Sequence, residues 1–263
     1  MPYLSTSGRD LDDDVDGFSL NLLGGRHGSV RGLELGGLFN WQQRSARWVQ
    51  MAGVFNQVGS VWGVQVAGVF NRAEGAVRGV QVAGGLNRAD EVTGAQVGLV
   101  NVARRVRGLQ LGVVNVAREL DGEALGLFSW IGNGYRHFEL GVGDARWLQV
   151  GGKFGGRHLY SVLVAGLGTP GREAGWSVGL GWGAHVDFGR LALDADVLGS
   201  LEQTGWHRPQ WDGRLLGEAR SVLGWRFSKA FAGFLGPTLQ VPLLGPSAAR
   251  GRYGLGFVAG VRL

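Results

Sequence analysis

The chain has 263 residues, of which 50 are Gly and none is Cys, and its formal net charge is +5. This glycine content has no three-residue period, which excludes collagen, and the strongly patterned 44% of hydrophobic residues excludes a disordered chain. The lack of Cys excludes a disulfide framework and a thiolate metal site. The arginines are spread singly, which argues against a nucleic-acid groove and is compatible with an anionic lipid surface.

Residues 1–16 are polar and acidic and are predicted to be a lead-in to the fold. They lack the basic start and apolar core of a signal peptide, which by itself indicates a cytoplasmic protein. The export expected below therefore requires that a signal peptide has been removed. Residues 12–17 (DDDVDG) match the start of a calcium loop, but Leu23 stands where the bidentate Glu is needed. We expect a solvated lead-in and no bound metal.

Residues 17–131 contain a tandem repeat that ends in Asn and has Gln as its third residue. The best copies span 63–71 (GVQVAGVFN) and 79–87 (GVQVAGGLN), and a shortened copy spans 94–101 (GAQVGLVN). The Asn residues fall at positions 40, 56, 71, 87, 101 and 115, so the spacing is 14 to 16 residues. Apolar side chains alternate with polar or small ones, which predicts one strand with two different faces per repeat.

Two arrangements of the repeats remain open. In a meander barrel Asn71 would lie near Gln81, whereas in a β-solenoid Gln would stack on Gln and Asn on Asn. Connecting segments of nearly equal length favour the solenoid, because barrels alternate short and long loops. The drift in spacing favours the barrel, because stacked coils are expected to be regular. Gln65 and Asn71 are an even number of residues apart, so they would face the same side of a strand, whereas Gln96 and Asn101 are an odd number apart. This difference requires either a β-bulge or an Asn in a turn.

Residues 132–263 lose the repeat but keep the alternation. Every second residue from 176 to 188 is apolar, and similar patterns follow over 191–197, 214–226 and 253–263. The sequence contains no run of about 18 apolar residues, so no membrane helix is predicted. Strands of about ten residues with one apolar face and terminal aromatics are typical of outer-membrane barrels.

The predicted fold is therefore all-β: an antiparallel transmembrane β-barrel of about 16 strands. It forms a single domain over residues 17–263, with 17–131 as the repeat half and 132–263 as the non-repeat half. The alternative is a β-solenoid repeat half followed by a β-barrel-like C-terminal half.

The repeats resemble the uncharacterised surface-repeat family of Gram-negative bacteria, with tandem G-[VL]-Q-[VIL]-[AG]-x-[VLF]-N units. The resemblance continues through residues 132–139 (GNGYRHFE), 151–160 (GGKFGGRHLY), 211–214 (WDGR) and 234–238 (FLGPT). It covers nearly the whole chain and implies an exported outer-membrane protein. It implies no activity and no site residues.

Two enzyme-like motifs have simpler explanations. Residues 166–171 (GLGTPG) match a dinucleotide-binding pattern, which requires a helix next, but a strand is predicted there. Residues 175–179 (GWSVG) match a hydrolase elbow, which requires a strand-to-helix turn, but Ser177 falls inside a predicted strand. We expect no catalytic residue and no cofactor.

The strand pattern points one set of polar side chains into the predicted barrel. These lumen-lining residues are Gln65, Asn71, Gln81, Asn87, His185, Asp187, Asp194, Asp196, Arg214, Glu218 and Arg220. The same alternation points His137, Glu139, Lys153, Arg226 and Arg262 inward. They predict a structural or pore-type outer-membrane protein with a polar lumen, the alternative being a surface-displayed β-repeat binding module, adhesin or scaffold, without a pore. The expected partner is membrane lipid and not nucleic acid. The sequence is also compatible with a homo-oligomer or with binding to other envelope proteins.

Overall fold

A computed structural model describes residues 14–168, 175–204, 213–228, 230–244 and 254–263. These residues form β-strands and no helix, so the all-β prediction is confirmed. Within them, no helix exists that could cross a membrane. The chain divides into two compact units, Met1–Gly134 and Tyr135–Leu263. Residues 1–13, which include most of the predicted lead-in and the start of the calcium-like motif, lie outside the described residues.

The repeat unit contains eleven strands. They are β1 (Asp14–Asn21), β2 (Gly24–Gly36), β3 (Phe39–Ala52), β4 (Phe55–Val58), β5 (Ser60–Ala67), β6 (Phe70–Ala73), β7 (Ala76–Ala83), β8 (Leu86–Val97), β9 (Val100–Leu111), β10 (Val114–Leu125) and β11 (Phe128–Ile131). All of them pair in parallel within a single sheet. Parallel pairing of successive repeats winds the chain into a solenoid-like sheet.

Equivalent repeat residues stack directly on one another. Gln65 pairs with Gln81 in the β5–β7 ladder, and Asn71 pairs with Asn87 in the β6–β8 ladder. Val and Ala side chains fill the interior between these amides. Apolar alternation is common to solenoids and barrels, so it did not distinguish them. The pairing of identical amides does distinguish them, because these residues meet only when the strands run parallel and in register.

The corners of the coil absorb the variable repeat length. Val82 pairs with Val97, 15 residues later, but Leu86 pairs with Val100, 14 residues later. The missing residue lies in the bend at Gly98, between two strand segments. The alternation of inward and outward side chains starts anew after this bend. Asn101 is therefore buried, although it is an odd number of residues from Gln96. The turn explanation of the parity break therefore holds, and regular spacing is not required for stacking.

The second unit contains eight strands. They are β12 (Tyr135–Gly143), β13 (Leu148–Gly155), β14 (Leu159–Leu167), β15 (Gly175–Phe188), β16 (Leu191–Thr204), β17 (Arg214–Arg226), β18 (Ala232–Leu244) and β19 (Gly254–Arg262). Each pairs antiparallel with the next, and β12 also pairs with β19, so the sheet closes into a barrel. A register shift interrupts the β17–β18 ladder at Leu215 and Leu216.

A single antiparallel barrel of about 16 strands is not confirmed. The closed barrel has eight strands, and the repeat strands form the separate parallel sheet. This arrangement corresponds to the alternative considered from the sequence, a β-solenoid half followed by a barrel half.

Candidate functional site

The outer face of the barrel unit is apolar. Along β15, alternate residues from Trp176 to Phe188 point outward, and they are all apolar. Val197 on β16 is 66% exposed and Leu235 on β18 is 60% exposed. Water-soluble proteins rarely expose a continuous apolar surface of this kind. The barrel exterior is therefore an exposed apolar surface.

Aromatic side chains lie near both ends of the barrel. Phe188 and Trp225 lie on strands joined through Leu191, at the end where β15 turns into β16. Trp147 and Phe257 are exposed near the opposite end, where β12 turns into β13. Aromatic rings at both edges of an apolar band are the arrangement of membrane barrels, because these rings favour the interface between lipid and water.

Buried charges fill the interior of the barrel. Lys153 on β13 places its Nζ 2.8 Å from Asp194 Oδ2, 3.2 Å from Asp196 Oδ2 and 3.2 Å from Glu139 Oε1. The two Asp residues lie on β16, which does not pair with β13, so these contacts cross the lumen. Arg262 on β19 also crosses it, with its Nη2 2.6 Å from Asp194 Oδ2.

Neighbouring polar side chains complete this cluster. Tyr160 donates its hydroxyl to Asp196 Oδ1 at 2.5 Å, and Arg220 Nη2 donates to Asp196 Oδ2 at 2.8 Å. His185 Nδ1 lies 2.6 Å from Asp194 Oδ1. Each carboxylate is therefore held by several donors, as a buried charge requires.

Arg146 links a second group of residues inside the barrel. It lies in the connection between β12 and β13, yet it is only 2% exposed. Its guanidinium donates to Ser177 Oγ at 2.7 Å, to Ser200 Oγ at 2.7 Å and to Glu218 Oε2 at 2.8 Å. These acceptors lie on β15, β16 and β17, so a single side chain bridges three strands.

The charges of these two groups balance. The four cations are Arg146, Lys153, Arg220 and Arg262, and the four carboxylates are Glu139, Asp194, Asp196 and Glu218. The formal charges of these eight side chains sum to zero. An eight-stranded barrel has an interior just wide enough for side chains to fill. This arrangement cross-links the barrel wall and leaves no excess charge to select a passing ion.

The predicted lumen residues separate into three groups. His185, Asp194, Asp196, Glu218 and Arg220 come together inside the barrel. Asp187 and Arg214 do not join them: Asp187 is exposed and pairs with Arg226 at 2.8 Å, and Arg214 is half-buried. The amides Gln65, Asn71, Gln81 and Asn87 are buried inside the repeat unit instead, so they line no barrel lumen. Strand alternation predicted that these amides point inward. It did not predict that they point into a parallel, solenoid-like unit.

Two central residues of the network are absent from the sequence-based set. Arg146 lies in a short connection, where strand alternation gives no facing. Tyr160 lies in a strand whose two faces are both largely apolar, so its direction is not marked.

Ser177 is explained by this network. It accepts a hydrogen bond from Arg146 within β15, and no strand-to-helix turn surrounds it. The dinucleotide-like motif runs into residues 169–171, which lie outside the described residues.

The repeat unit has a buried acid at the start of its glutamine column. Glu34 pairs in register with Gln50 and accepts hydrogen bonds from Asn21, Gln42 and Gln50. His27 Nε2 lies 3.8 Å from Glu34 Oε1. Burial raises the pKa of Glu34 from 4.5 to about 7, although the hydrogen bonds from Gln50, Asn21 and Gln42 lower it.

We expect this acid to make the stability of the repeat unit fall as pH rises from about 4.5 to 7. In that range the folded state keeps the proton of Glu34 while the unfolded state loses it, which amounts to about 3 kcal/mol. Glu34→Gln should flatten the melting temperature between pH 5 and pH 7.5, and the exposed Glu74→Gln should leave the wild-type slope. An unchanged slope in Glu34→Gln would show that Glu34 does not carry this dependence.

Comparisons of the chain with protein-family models, with curated proteins and with solved structures found no match.

Proposed function

We propose that the chain is an exported outer-membrane protein whose barrel unit, β12–β19, is a lipid-embedded anchor rather than an enzyme or an open pore. The observation that carries this proposal is the apolar outer face of a closed barrel whose interior is charged. This inside-out polarity is stable only where hydrocarbon surrounds the barrel. Closure supports the same conclusion, because lipid cannot satisfy an open sheet edge.

The surface of the repeat unit carries ion pairs as well as exposed apolar side chains such as Leu38, Val69 and Leu99. Exposed ion pairs run along its outer face, with Arg104 on Asp90 at 2.8 Å and Arg105 on Glu119 at 2.8 Å. Charged pairs of this kind are stable in water and costly in hydrocarbon. We infer that the repeat unit is the part displayed in water and that the barrel unit holds it at the membrane. The resemblance to a surface-repeat family agrees with this division.

The ion network argues against the pore reading. Lys153 and Arg262 both reach Asp194 across the lumen, and Arg146 reaches Glu218 near one end. Permeation would have to break several buried ion pairs, each of which is costly to leave unpaired. The interior is therefore better suited to rigidity than to transport.

Planar-bilayer recording tests this function. We expect the purified full chain to require detergent for monodispersity, to insert into lipid bilayers and to produce no single-channel steps. Insertion is measured separately by flotation with vesicles, so that inserted protein without conductance is distinguished from protein that has not inserted. Reproducible conductance steps from inserted protein would overturn the closed anchor. A protein that stays monodisperse without detergent and does not float would overturn the membrane location.

A further inference from the structure

One coil of the repeat unit breaks a glycine column. The first residue of the repeat has a positive backbone φ in successive coils. The glycines in this column are Gly17, Gly32, Gly63, Gly79, Gly94, Gly108 and Gly122. Trp48 occupies this column between Gly32 and Gly63, with φ of 87°. A bulky side chain in the left-handed region is a genuine outlier, and such outliers cluster at functional sites.

The side chain of Trp48 is mostly exposed. It is 73% exposed, and the neighbouring Trp62 is 47% exposed. Trp62 lies in register between Arg47 and Arg78 of the adjacent coils. The Arg78 guanidinium carbon lies 4.2 Å from the Trp62 ring centre, and that of Arg47 lies 5.9 Å away. Two cations thus flank one indole beside a second, unoccupied indole.

These two arginines differ from others on the same unit. Arg44, Arg104 and Arg105 pair with carboxylates at 3.0 Å or less. In the described part of the chain, Arg47 and Arg78 have no carboxylate partner, and each guanidinium lies over the Trp62 ring. Their hydrogen-bond donors are therefore free for an external anion, and a planar guanidinium matches a carboxylate or phosphate.

These side chains line a cleft that is open to solvent and large enough for a small ligand. Its volume is 730 Å³, and its lining residues are Arg47, Trp48, Val49, Trp62, Gly63 and Arg78. Small-molecule sites of about 300–1,000 Å³ combine aromatic walls with a few polar groups that fix orientation. This cleft combines indole and apolar walls with two cations and no acid.

We propose that this cleft binds an acidic saccharide. The exposed indole of Trp48 offers a flat apolar surface for the C–H face of a sugar ring, and Arg47 and Arg78 bind its carboxylate or phosphate. A nucleobase is a poorer match, because the faces of Trp62 are occupied by guanidinium groups and no second free ring remains to sandwich a base. The site lies within the repeat unit and does not depend on membrane insertion of the barrel.

Calorimetric titration of the full chain in detergent with a galacturonic acid trisaccharide tests the proposal. We expect saturable binding that weakens at least tenfold in Trp48→Gly and in Arg78→Gln, and that weakens with added salt. The neutral galactose trisaccharide should bind at least tenfold more weakly. Trp48→Gly restores the glycine of the other coils, so its melting temperature should equal or exceed that of the wild type and its loss of binding is not a loss of folding.

Trp41→Ala is the matched control. Trp41 is also exposed and lies 5.2 Å from the Arg26 guanidinium, but it is outside the cleft. Its substitution should leave affinity unchanged. A phosphorylated monosaccharide, titrated in parallel, distinguishes phosphate from carboxylate recognition within the same proposal. No saturable binding of either acidic sugar, equal binding of the neutral trisaccharide, tighter binding of a short single-stranded oligonucleotide, or wild-type affinity in Trp48→Gly would each overturn it.

Discussion

Lys153→Met is expected to lower the free energy of unfolding of the barrel unit by about 3–5 kcal/mol. Lys153 is 1% exposed and lies within 3.2 Å of three carboxylates, those of Glu139, Asp194 and Asp196. Met fills a similar volume but supplies no charge, so the substitution leaves buried acids without their shared cation. Because the carboxylates lie on two separate parts of the barrel wall, a cross-lumen connection is lost as well.

Urea unfolding in detergent, followed by the heat-modifiable gel shift of the folded barrel, measures this loss. Arg226→Met is the matched control, because it removes an arginine whose ion pair with Asp187 is about half exposed. An exposed pair of this kind contributes about 0–1 kcal/mol. Equal unfolding midpoints for the two variants would show that the interior network does not stabilise the barrel as described.

Gly79→Ala is expected to destabilise the repeat unit by roughly 2–6 kcal/mol. About 1–3 kcal/mol comes from the left-handed backbone, where φ is 136°. A further part, about 1–3 kcal/mol, comes from overpacking, because the added Cβ would lie 1.9 Å from the Gly63 carbonyl oxygen. The colliding atom belongs to the backbone of the preceding coil, so no side-chain rotation relieves it.

Gly17→Ala separates the collision from the backbone strain. Gly17 also has positive φ, at 103°, but an added Cβ there meets nothing within 4 Å. Hydrogen–deuterium exchange should therefore show far greater loss of protection around residue 79 in Gly79→Ala, in peptides covering residues 60–110, than around residue 17 in Gly17→Ala, in peptides covering residues 14–36. Similar protection in the two variants would mean that the coils are not packed as closely as the register requires.

The alternation of residues 176–188 was sufficient to predict the outward face of β15 and the inward placement of His185. The same alternation explains Asp194, Asp196, Glu218 and Arg220, because each lies within a regular strand. Asp187 keeps the inward parity but lies near the end of its strand, where the barrel wall no longer covers it. Alternation predicts a face but not the distance from the barrel rim.

The number of barrel strands could not be predicted in this way, because a repeat strand and a membrane strand share the two-residue period. Pairing direction depends on which residues meet. Gln81 Nε2 donates to Gln65 Oε1 at 2.8 Å, and Asn71 Nδ2 donates to Asn87 Oδ1 at 3.0 Å. Each of these four amides both donates and accepts along its column, so identical residues satisfy one another. This mutual satisfaction of buried amides, rather than hydrophobic periodicity, marks the repeat unit as parallel.

Collisional accessibility of a spin label tests most directly whether lipid surrounds the barrel unit. The chain has no Cys, so Val197→Cys supplies a single labelling site on the outward face of β16. In lipid vesicles, a label there should collide with oxygen and be protected from an aqueous nickel chelate. A label at Val69→Cys, on the exposed surface of the repeat unit, should show the reverse. Equal access of the nickel chelate to both positions would contradict a lipid-embedded barrel.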